Sequence, residues 1–336
     1  MPRLPILLAA LLGFASAPAA AEPTAELIKR KTDPNGYCFA DDVVPPSPAL
    51  WAIEDTDTTL YLFGTVHILP EELCWQDERV TRAIWASDEL VTETDVDTGV
   101  FNIFGMIAEA SFDRSNRPLR ERLDARHHAT LDRLLAEAPM PLPESFYDKI
   151  DSWALTEYVF QGMLVPAEEE NETGGVEGEL EYQFEAARKP QEFLESLAFQ
   201  IQLGDSYSRE LQDETLDSWF AYHGGEYDDD LIDKAKGQWE AILEQWRTGE
   251  QIDLAAYMAA LTPDFESDDP ERDAQLSEEY LDHLLYARNR HWVDWIEDRL
   301  ERPGTVFIAV GAAHLGGERS VLDYARQRGL PVRRLD

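Results

Sequence analysis

The chain has few basic residues for its length. Its 336 positions include 29 lysine and arginine residues against 67 aspartate and glutamate residues, which gives a formal net charge of −38 at pH 7. Only six of the basic residues are lysines. An acidic surface of this kind repels nucleic acid and anionic membranes, so neither is expected as a partner. The charge predicts a well-solvated surface and implies no particular partner.

Long hydrophobic runs are also missing, except at the N-terminus. There Arg3 supplies a positive charge, residues 4–14 form an apolar core, and residues 19–21 are small. This order is typical of a secretory signal peptide over residues 1–21, and the apolar core is too short to span a bilayer. We therefore expect an exported bacterial protein, periplasmic or secreted, whose mature chain of residues 22–336 has no membrane span.

Cysteine is nearly absent, because only Cys38 and Cys74 occur. So few thiolates disfavour a cysteine metal site. In an oxidising compartment two cysteines pair more often than they remain reduced. We therefore expect a disulfide between Cys38 and Cys74, with two buried thiols as the alternative.

Several common catalytic signatures are absent as well. The chain has no His-Glu-x-x-His, no Gly-x-Ser-x-Gly, no phosphate-binding Walker loop and no Gly-x-Gly-x-x-Gly that opens a helix. Zincin, serine-hydrolase and nucleotide-binding interpretations therefore lose their usual support. With 44% hydrophobic residues and nine tryptophans, the chain can still bury a substantial core.

Two short motifs stand out against this background. Each is a Gly-x-x-His that directly follows an apolar run typical of a buried strand, once at residues 64–67 and once at residues 311–314. Open α/β sheets bind ligands just beyond the carboxyl ends of their strands. We therefore interpret His67 and His314 as candidate metal ligands in one composite site. The alternative is that each is a structural histidine at a strand end.

Four further polar residues lie where they could join these histidines. Glu93 ends a strand predicted over residues 89–93, and Glu177 lies at the start of a predicted helix, where the helix dipole favours a carboxylate. Arg288 and Asn289 are neighbours in a long helix, and such a pair could clamp a substrate carbonyl or orient a ligand. The alternatives are an exposed charge for Glu93, a helix cap for Glu177 and a surface ion pair for Arg288.

The order of the predicted elements indicates the fold class. Strand–helix–strand units at both ends flank a mostly helical middle, which predicts an α/β (α+β) fold with a single central sheet and a helical insert at about residues 115–280. Residues 22–48 are predicted to form an irregular arm, and residues 49–336 a single domain. The apolar spacing further predicts helices over residues 197–220 and 278–300, and an acidic loop over residues 262–275.

Taken together, these segments resemble the TraB/PrgY/GumN family, which includes the TIKI metalloproteases and lies near the erythromycin-esterase and ChaN-like folds. The matching segments, in chain order, are residues 60–67, the strand ending at Glu93, residues 175–177, residues 193–196 with Gln200, residues 287–289 and residues 307–317. Their order and spacing fit the family over residues 50–335. The resemblance implies that the central sheet is erythromycin-esterase/ChaN-like.

The resemblance also implies a chemistry. TIKI proteins are described as divalent-metal proteases that need both Gly-x-x-His motifs and acidic residues, so we expect a metal-dependent hydrolase that cleaves peptides or another small substrate. In this hypothesis His67, His314 and Glu93 hold a Mn, Co or Zn ion. Glu177 is then the general base, while Arg288, with Asn289 beside it, holds the substrate or stabilises the oxyanion.

Two other functions use the same cleft. One is a non-catalytic protein that binds a metal, a haem or a peptide, and the link of PrgY-like members to peptide pheromone control supports it. The other is an inactive enzyme retained as a structural partner. The sequence specifies neither the substrate nor the number of subunits.

Overall fold

A computed structural model describes most of the chain after the predicted arm. The described residues are 46–67, 69, 73–94, 117–137, 143–160, 175–224, 229–250 and 269–336. The predicted signal peptide, most of the arm and Cys38 lie outside them. Cys74 is buried, and no free cysteine occurs among the described residues. The bridge between Cys38 and Cys74 stays a prediction.

Six strands form one sheet, in the spatial order β4-β3-β5-β2-β1-β6. The strands are β1 (Leu50–Glu54), β2 (Thr58–Thr65), β3 (Glu89–Thr94), β4 (Gln191–Glu195), β5 (Gly304–Gly311) and β6 (Val332–Leu335). Strands β4, β3, β5 and β2 run parallel to one another, while β1 pairs antiparallel with both β2 and β6. One central sheet built from both ends of the chain was predicted, and this prediction is confirmed.

Helices make up most of the remaining described structure. They are α1 (Glu78–Ala86), α2 (His128–Glu137), α3 (Glu144–Tyr147), α4 (Ser152–Ala154), α5 (Gly175–Ala186), α6 (Leu197–Ser206), α7 (Arg209–His223), α8 (Asp229–Thr248), α9 (Pro270–Leu281), α10 (Ala287–Leu300) and α11 (Val321–Gln327). Short 3-10 turns span Leu119–Arg122, Ala125–His127 and Ala312–Leu315, and π-helical segments span Leu155–Phe160 and Asp282–Tyr286. None of the helices within the described ranges is long and apolar enough to cross a membrane.

The sheet is covered on both faces, which explains the unbroken apolar run of β5. Phe307 and Ala309 point to one face and pack with α1, α5 and α8. Ile308 and Val310 point to the other face and pack with α10 and α11. A strand buried on both sides needs apolar residues at every position, whereas a strand with one wet face alternates. The helical insert has a separate core, which includes Tyr147 and Phe220.

The structure corrects three predicted boundaries within the helical part. The helix predicted over residues 197–220 is two helices, because the Ser208 hydroxyl accepts the N–H of Leu211 and starts α7. Residues 262–268 of the loop predicted over residues 262–275 lie outside the described residues, and residues 270–275 are helical. Asp269 accepts the N–H groups of two following residues and Pro270 occupies the first turn, so α9 begins there. The helix predicted over residues 278–300 is interrupted by the π-helical segment.

Gly175 joins α5 to the end of β2. It has a φ of 67°, and a Cβ atom built on it would lie 2.2 Å from the carbonyl oxygen of His67. The next residue, Val176, donates its N–H to the carbonyl of Val66 at 3.1 Å. Only glycine combines this left-handed backbone with so close an approach.

We therefore expect Gly175→Ala to lower the free energy of unfolding by about 2–4 kcal/mol, because the new methyl group forces the start of α5 away from β2. Gly237→Ala is the matched control, since a Cβ atom there meets nothing within 4 Å. In a helix interior, a change from glycine to alanine raises the free energy of unfolding by up to about 1 kcal/mol. Urea unfolding of both variants measures the difference, and equal effects would contradict the prediction.

Candidate active site

The carboxyl ends of the parallel strands meet at one edge of the sheet, and both motifs lie there. Thr65 at the end of β2 is in register with Gly311 at the end of β5. The backbone N–H of Gly311 donates to Oε1 of Glu93, from β3, at 2.7 Å. The 3-10 turn that follows Gly311 places His314 at the same edge. Gly64 of β2 lets this turn approach closely, because a Cβ atom there would lie 3.0 Å from Cα of Ala312.

His314 is fully buried, and Asn289 orients its ring. Nδ1 of His314 lies 2.6 Å from Oδ1 of Asn289, and Nδ2 of Asn289 donates to the carbonyl oxygen of Arg319 at 2.9 Å. Because a carbonyl only accepts, the amide nitrogen faces Arg319 and the amide oxygen faces the ring. That oxygen also only accepts, so Nδ1 carries the proton and Nε2 of the neutral ring keeps its lone pair.

His67 is oriented from its other side by a carboxylate. Its side chain is 29% exposed, and Nδ1 lies 3.0 Å from Oε1 of Glu177. At this distance the carboxylate acts on the ring both through its charge and as a hydrogen-bond acceptor. A carboxylate on Nδ1 leaves Nε2 to face a ligand, as in many metal-binding histidines.

Gly311 leaves a space that three functional groups border. A methyl group in place of its hydrogen would lie 3.3 Å from Oε1 of Glu93, 3.6 Å from Cδ2 of His314 and 3.8 Å from Nε2 of His67. The φ of Gly311 is −49°, which any residue adopts. Its importance is therefore the missing side chain. We name the space bordered by these four residues the Gly311 cradle.

Arg288 links two carboxylates beside the cradle. Its Nη2 lies 2.7 Å from Oε2 of Glu93 and 2.6 Å from Oε1 of Glu195, and its Nε donates to the same Glu195 oxygen at 2.8 Å. Nη1 has two longer contacts of 3.5 Å, to the carbonyl of Leu284 and to Nε2 of His314. Arg288 is buried, so its interpretation as a surface ion pair is wrong. Its Nη1 is directed toward the cradle.

Glu195 is the anchor of this ion pair, a role that sequence reasoning did not assign. Besides the arginine, its Oε1 accepts from Gln200 at 3.0 Å and from Thr94 at 3.1 Å, and its Oε2 accepts from Trp292 at 3.0 Å. The sequence held two signals for these partners. Thr94 directly follows a predicted strand end, and Trp292 lies one helical turn after Arg288, on the same helix face.

Burial and charge set three unusual pKa values at this edge of the sheet. For Glu93, burial favours the protonated form, but Arg288, followed by the two histidines in their protonated forms, outweighs it and lowers the pKa to about 2. For His314, burial is the main cause that lowers the pKa to about 3. For His67, burial opposes the charged form, yet Glu177 outweighs it and raises the pKa to about 9.

The donor atoms around the cradle suit a divalent cation. Imidazole nitrogens and a carboxylate oxygen are ligands for Zn, Mn and Co alike. Oε1 of Glu93 and Nε2 of His314 are 3.8 Å apart, which is within the ~4.4 Å that two bonds of about 2.2 Å allow. In the described chain, Oε2 of Glu177 and Oγ1 of Thr65 are buried without a hydrogen-bond partner. Buried polar atoms of this kind are rare, and their occurrence indicates strain, a catalytic role or a water or ion that supplies the partner.

The cradle is not a complete metal site as it stands. No group of three or more His, Cys, Asp or Glu side chains in the described ranges is arranged to hold a metal ion. Arg288 instead supplies a positive charge to Glu93 at 2.7 Å. Cation binding would therefore require the donor side chains to draw closer together.

The structure brings all six predicted site residues to this edge, namely His67, Glu93, Glu177, Arg288, Asn289 and His314. The three predicted metal ligands border the cradle. Each of the three residues predicted to be catalytic contacts one of those ligands: Glu177 contacts His67, Asn289 contacts His314 and Arg288 contacts Glu93. Their roles as ligands, base and oxyanion stabiliser stay predictions.

Comparison with known proteins identifies one family. A family model described as TraB/PrgY/gumN family matches residues 49–334, which include every residue of this site, and the resemblance read from the sequence is confirmed. No curated protein and no solved structure matches the chain. The likeness to the erythromycin-esterase and ChaN-like folds stays a prediction.

The raised pKa of His67 predicts how the stability of the metal-free protein depends on pH. Because its folded-state pKa of about 9 lies above the ordinary value of 6.5, the contact with Glu177 stabilises the fold fully below pH 6.5 and is lost as the pH rises through 9. We expect His67→Gln to unfold more easily than the parent at about pH 6, by on the order of 1–3 kcal/mol, and equally at about pH 10.

Urea unfolding at several pH values in the presence of chelator measures this difference. Glu177→Gln should remove the same pH-dependent increment, since it takes away the charge that His67 faces. If the free energies of unfolding of the parent and His67→Gln differ by the same amount at about pH 6 and at about pH 10, the contact between His67 and Glu177 is not the source of the pH dependence.

Proposed function

The chain belongs to the TraB/PrgY/gumN family, and from this membership and the geometry of the site we propose that it is an exported, divalent-metal-dependent hydrolase that cleaves peptides. The observation that carries the proposal is the Gly311 cradle. Two histidines, each oriented through Nδ1 by another side chain, border one small space together with a carboxylate of lowered pKa.

In this proposal the ion is held by His67, His314 and Glu93. When bound, it would lower the pKa of a coordinated water and polarise a substrate carbonyl. The family resemblance favours Mn or Co, and imidazole and carboxylate donors also suit Zn. His314 is neutral over the physiological pH range, since its pKa is about 3, so its Nε2 lone pair is ready to bind.

The remaining polar groups then take defined parts in hydrolysis of the peptide bond. Glu177 accepts a proton from the attacking water at Oε2, the oxygen that does not contact His67. The water oxygen bonds to the carbonyl carbon, the carbon–nitrogen bond breaks, and the proton passes from Glu177 to the departing amine. Arg288 stabilises the oxyanion through Nη1, because its other nitrogens are held by Glu93 and Glu195.

Asn289 is assigned a different part from that of a substrate clamp. Both ends of its amide are engaged, the oxygen by His314 and the nitrogen by the carbonyl of Arg319. It therefore orients His314, a proposed ligand of the ion. Orienting a ligand is one of the two roles predicted from the sequence for Arg288 and Asn289, and clamping a substrate carbonyl is the other. Export is part of the same proposal and depends on the signal peptide predicted over residues 1–21.

Metal binding is tested by filling the cradle and by removing its ligands. We expect one Mn²⁺ per chain in the parent and a loss of most of it in His67→Ala, His314→Ala and Gly311→Ala. A methyl group at Gly311 enters the cradle but fits the backbone, so that variant should stay folded. Gly237→Ala is the matched control and should bind like the parent.

Isothermal titration of chelator-treated protein with Mn²⁺ gives the affinity and number of ions, and circular dichroism confirms folding. Normal Mn²⁺ binding by both histidine variants would end the shared-site proposal. Loss of Mn²⁺ binding in Gly237→Ala would show that binding is lost through a general disturbance of the fold and not through the filling of the cradle.

Turnover separates the hydrolase from a binding protein. We expect Glu177→Gln to keep the metal but to cleave a peptide pool at least 100-fold more slowly, because the amide keeps the shape and cannot take a proton. If this variant loses the metal, Glu177 is a ligand and another group is the base. If parent protein loaded with Mn, Co or Zn cleaves no peptide or ester yet binds a ligand tightly, the non-catalytic alternative is correct.

A further inference from the structure

Arg319 has an unusual backbone conformation for its residue type. Its φ is 59°, in the left-handed region, and among the non-glycine residues of the described ranges only Arg188 shares this feature. A residue with a Cβ atom gives up roughly 1–2 kcal/mol to adopt it. Strain of this kind persists only where surrounding contacts hold it, and it is concentrated at functional sites.

The contacts that hold Arg319 come from its N–H and its side chain. The backbone N–H donates to Oδ2 of Asp323 at 2.8 Å. The guanidinium pairs with Glu278 at 2.6 Å and Asp282 at 3.2 Å, and it lies 3.5 Å from the ring centre of Tyr286. Asp282 and Tyr286 are the first and last residues of the π-helical segment that directly precedes α10. Arg319 therefore ties the turn beyond His314 to the helix that carries Arg288 and Asn289.

The strained backbone presents one group to the site. The carbonyl oxygen of Arg319 accepts the amide N–H of Asn289 at 2.9 Å, and the amide oxygen of Asn289 lies 2.6 Å from Nδ1 of His314. If the carbonyl turned away, the amide would lose the bond that fixes which of its ends faces the ring. The ring proton would then no longer be fixed at Nδ1, and Nε2 would no longer be reserved for a ligand.

We propose that Arg319 is a positioning residue, which fixes the tautomer of His314 through its own left-handed carbonyl and Asn289. The part of this inference that concerns ligand affinity rests on the proposed function, whereas the tautomer itself does not. Glycine would adopt the same φ without strain and would lack only the side-chain contacts with the π-helical segment. The arginine thus supplies both the backbone group and the contacts that keep it in place.

Two substitutions of Arg319 separate the contribution of its backbone conformation from that of its side chain. Arg319→Val and Arg319→Gly both remove the guanidinium, but only glycine adopts a φ near +60° freely, and a β-branched residue strongly avoids it. Arg188→Val is the matched control. Arg188 has a φ of 56° and lies in an exposed turn between α5 and β4, so it tests the general effect of valine in this conformation.

The first readout is the ring ¹⁵N spectrum of histidine-labelled, metal-free protein at neutral pH, with His314 assigned from the spectrum of His314→Gln. The parent, Arg188→Val and Arg319→Gly should show the His314 proton on Nδ1 alone. Arg319→Val should lose this single state. The second readout is Mn²⁺ affinity, which should fall about 10–100-fold in Arg319→Val, the usual effect of losing a group that orients a ligand.

The outcomes are distinct. A folded Arg319→Val with the parent's His314 signals and Mn²⁺ affinity overturns the proposal, and Arg319→Ala carries the same expectation if the valine variant does not fold. Equal loss of the signals in the glycine and valine variants overturns the role proposed for the left-handed backbone, because glycine keeps that backbone conformation. If the parent binds no Mn²⁺, the proposed function fails, while the ring spectra still decide the role of Arg319.

Discussion

The buried guanidinium of Arg288 binds carboxylates from the ends of two neighbouring strands, Glu93 of β3 and Glu195 of β4. It thereby fixes α10 across the edge of the sheet where the candidate site lies. Removing one partner of such a buried pair typically costs about 3–5 kcal/mol, because a charge remains without compensation. The same pair sets the chemistry of the site, since Arg288 is the leading positive charge that keeps Glu93 ionised. Fold and site thus depend on one interaction.

Around this rigid pair, the site contains features that do not favour stability. Thr65 and Glu177 bury oxygens that no described residue satisfies, and Arg319 has a strained backbone. An optimised core would avoid all of these. Their occurrence at one strand-end edge, near the groups that border the Gly311 cradle, is typical of a site arranged for a ligand. The surrounding layers, buried on both faces of the sheet, provide the stability that such a site requires.

Sequence patterns predicted the single central sheet, and the apolar runs that end at Gly-x-x-His marked the ends of β2 and β5 directly. The six candidate site residues lie together at one edge, and their roles stay predictions. Sequence patterns could not predict Glu195 as the anchor of Arg288, because no motif links the two residues and only the folded chain brings the end of β4 beside α10. The role of Arg319 could not be predicted either. No sequence pattern marks an arginine with a left-handed backbone, and its carbonyl meets Asn289 only in the folded chain. The predicted helix boundaries were wrong where a single hydroxyl or carboxylate caps the start of a helix, as at Asp269.

Charge balance links the metal-free site to its proposed ligand. With both histidines neutral, the carboxylates of Glu93, Glu177 and Glu195 face a single guanidinium, which leaves two formal negative charges in a largely buried space. In the metal-free protein the raised pKa of His67 offsets one of these charges with a proton. A divalent cation would balance both, and it would replace that proton instead of adding charge to the site. Within the proposed function, this charge balance is the reason to expect a doubly charged ion, because a singly charged ion would leave one of the two negative charges uncompensated.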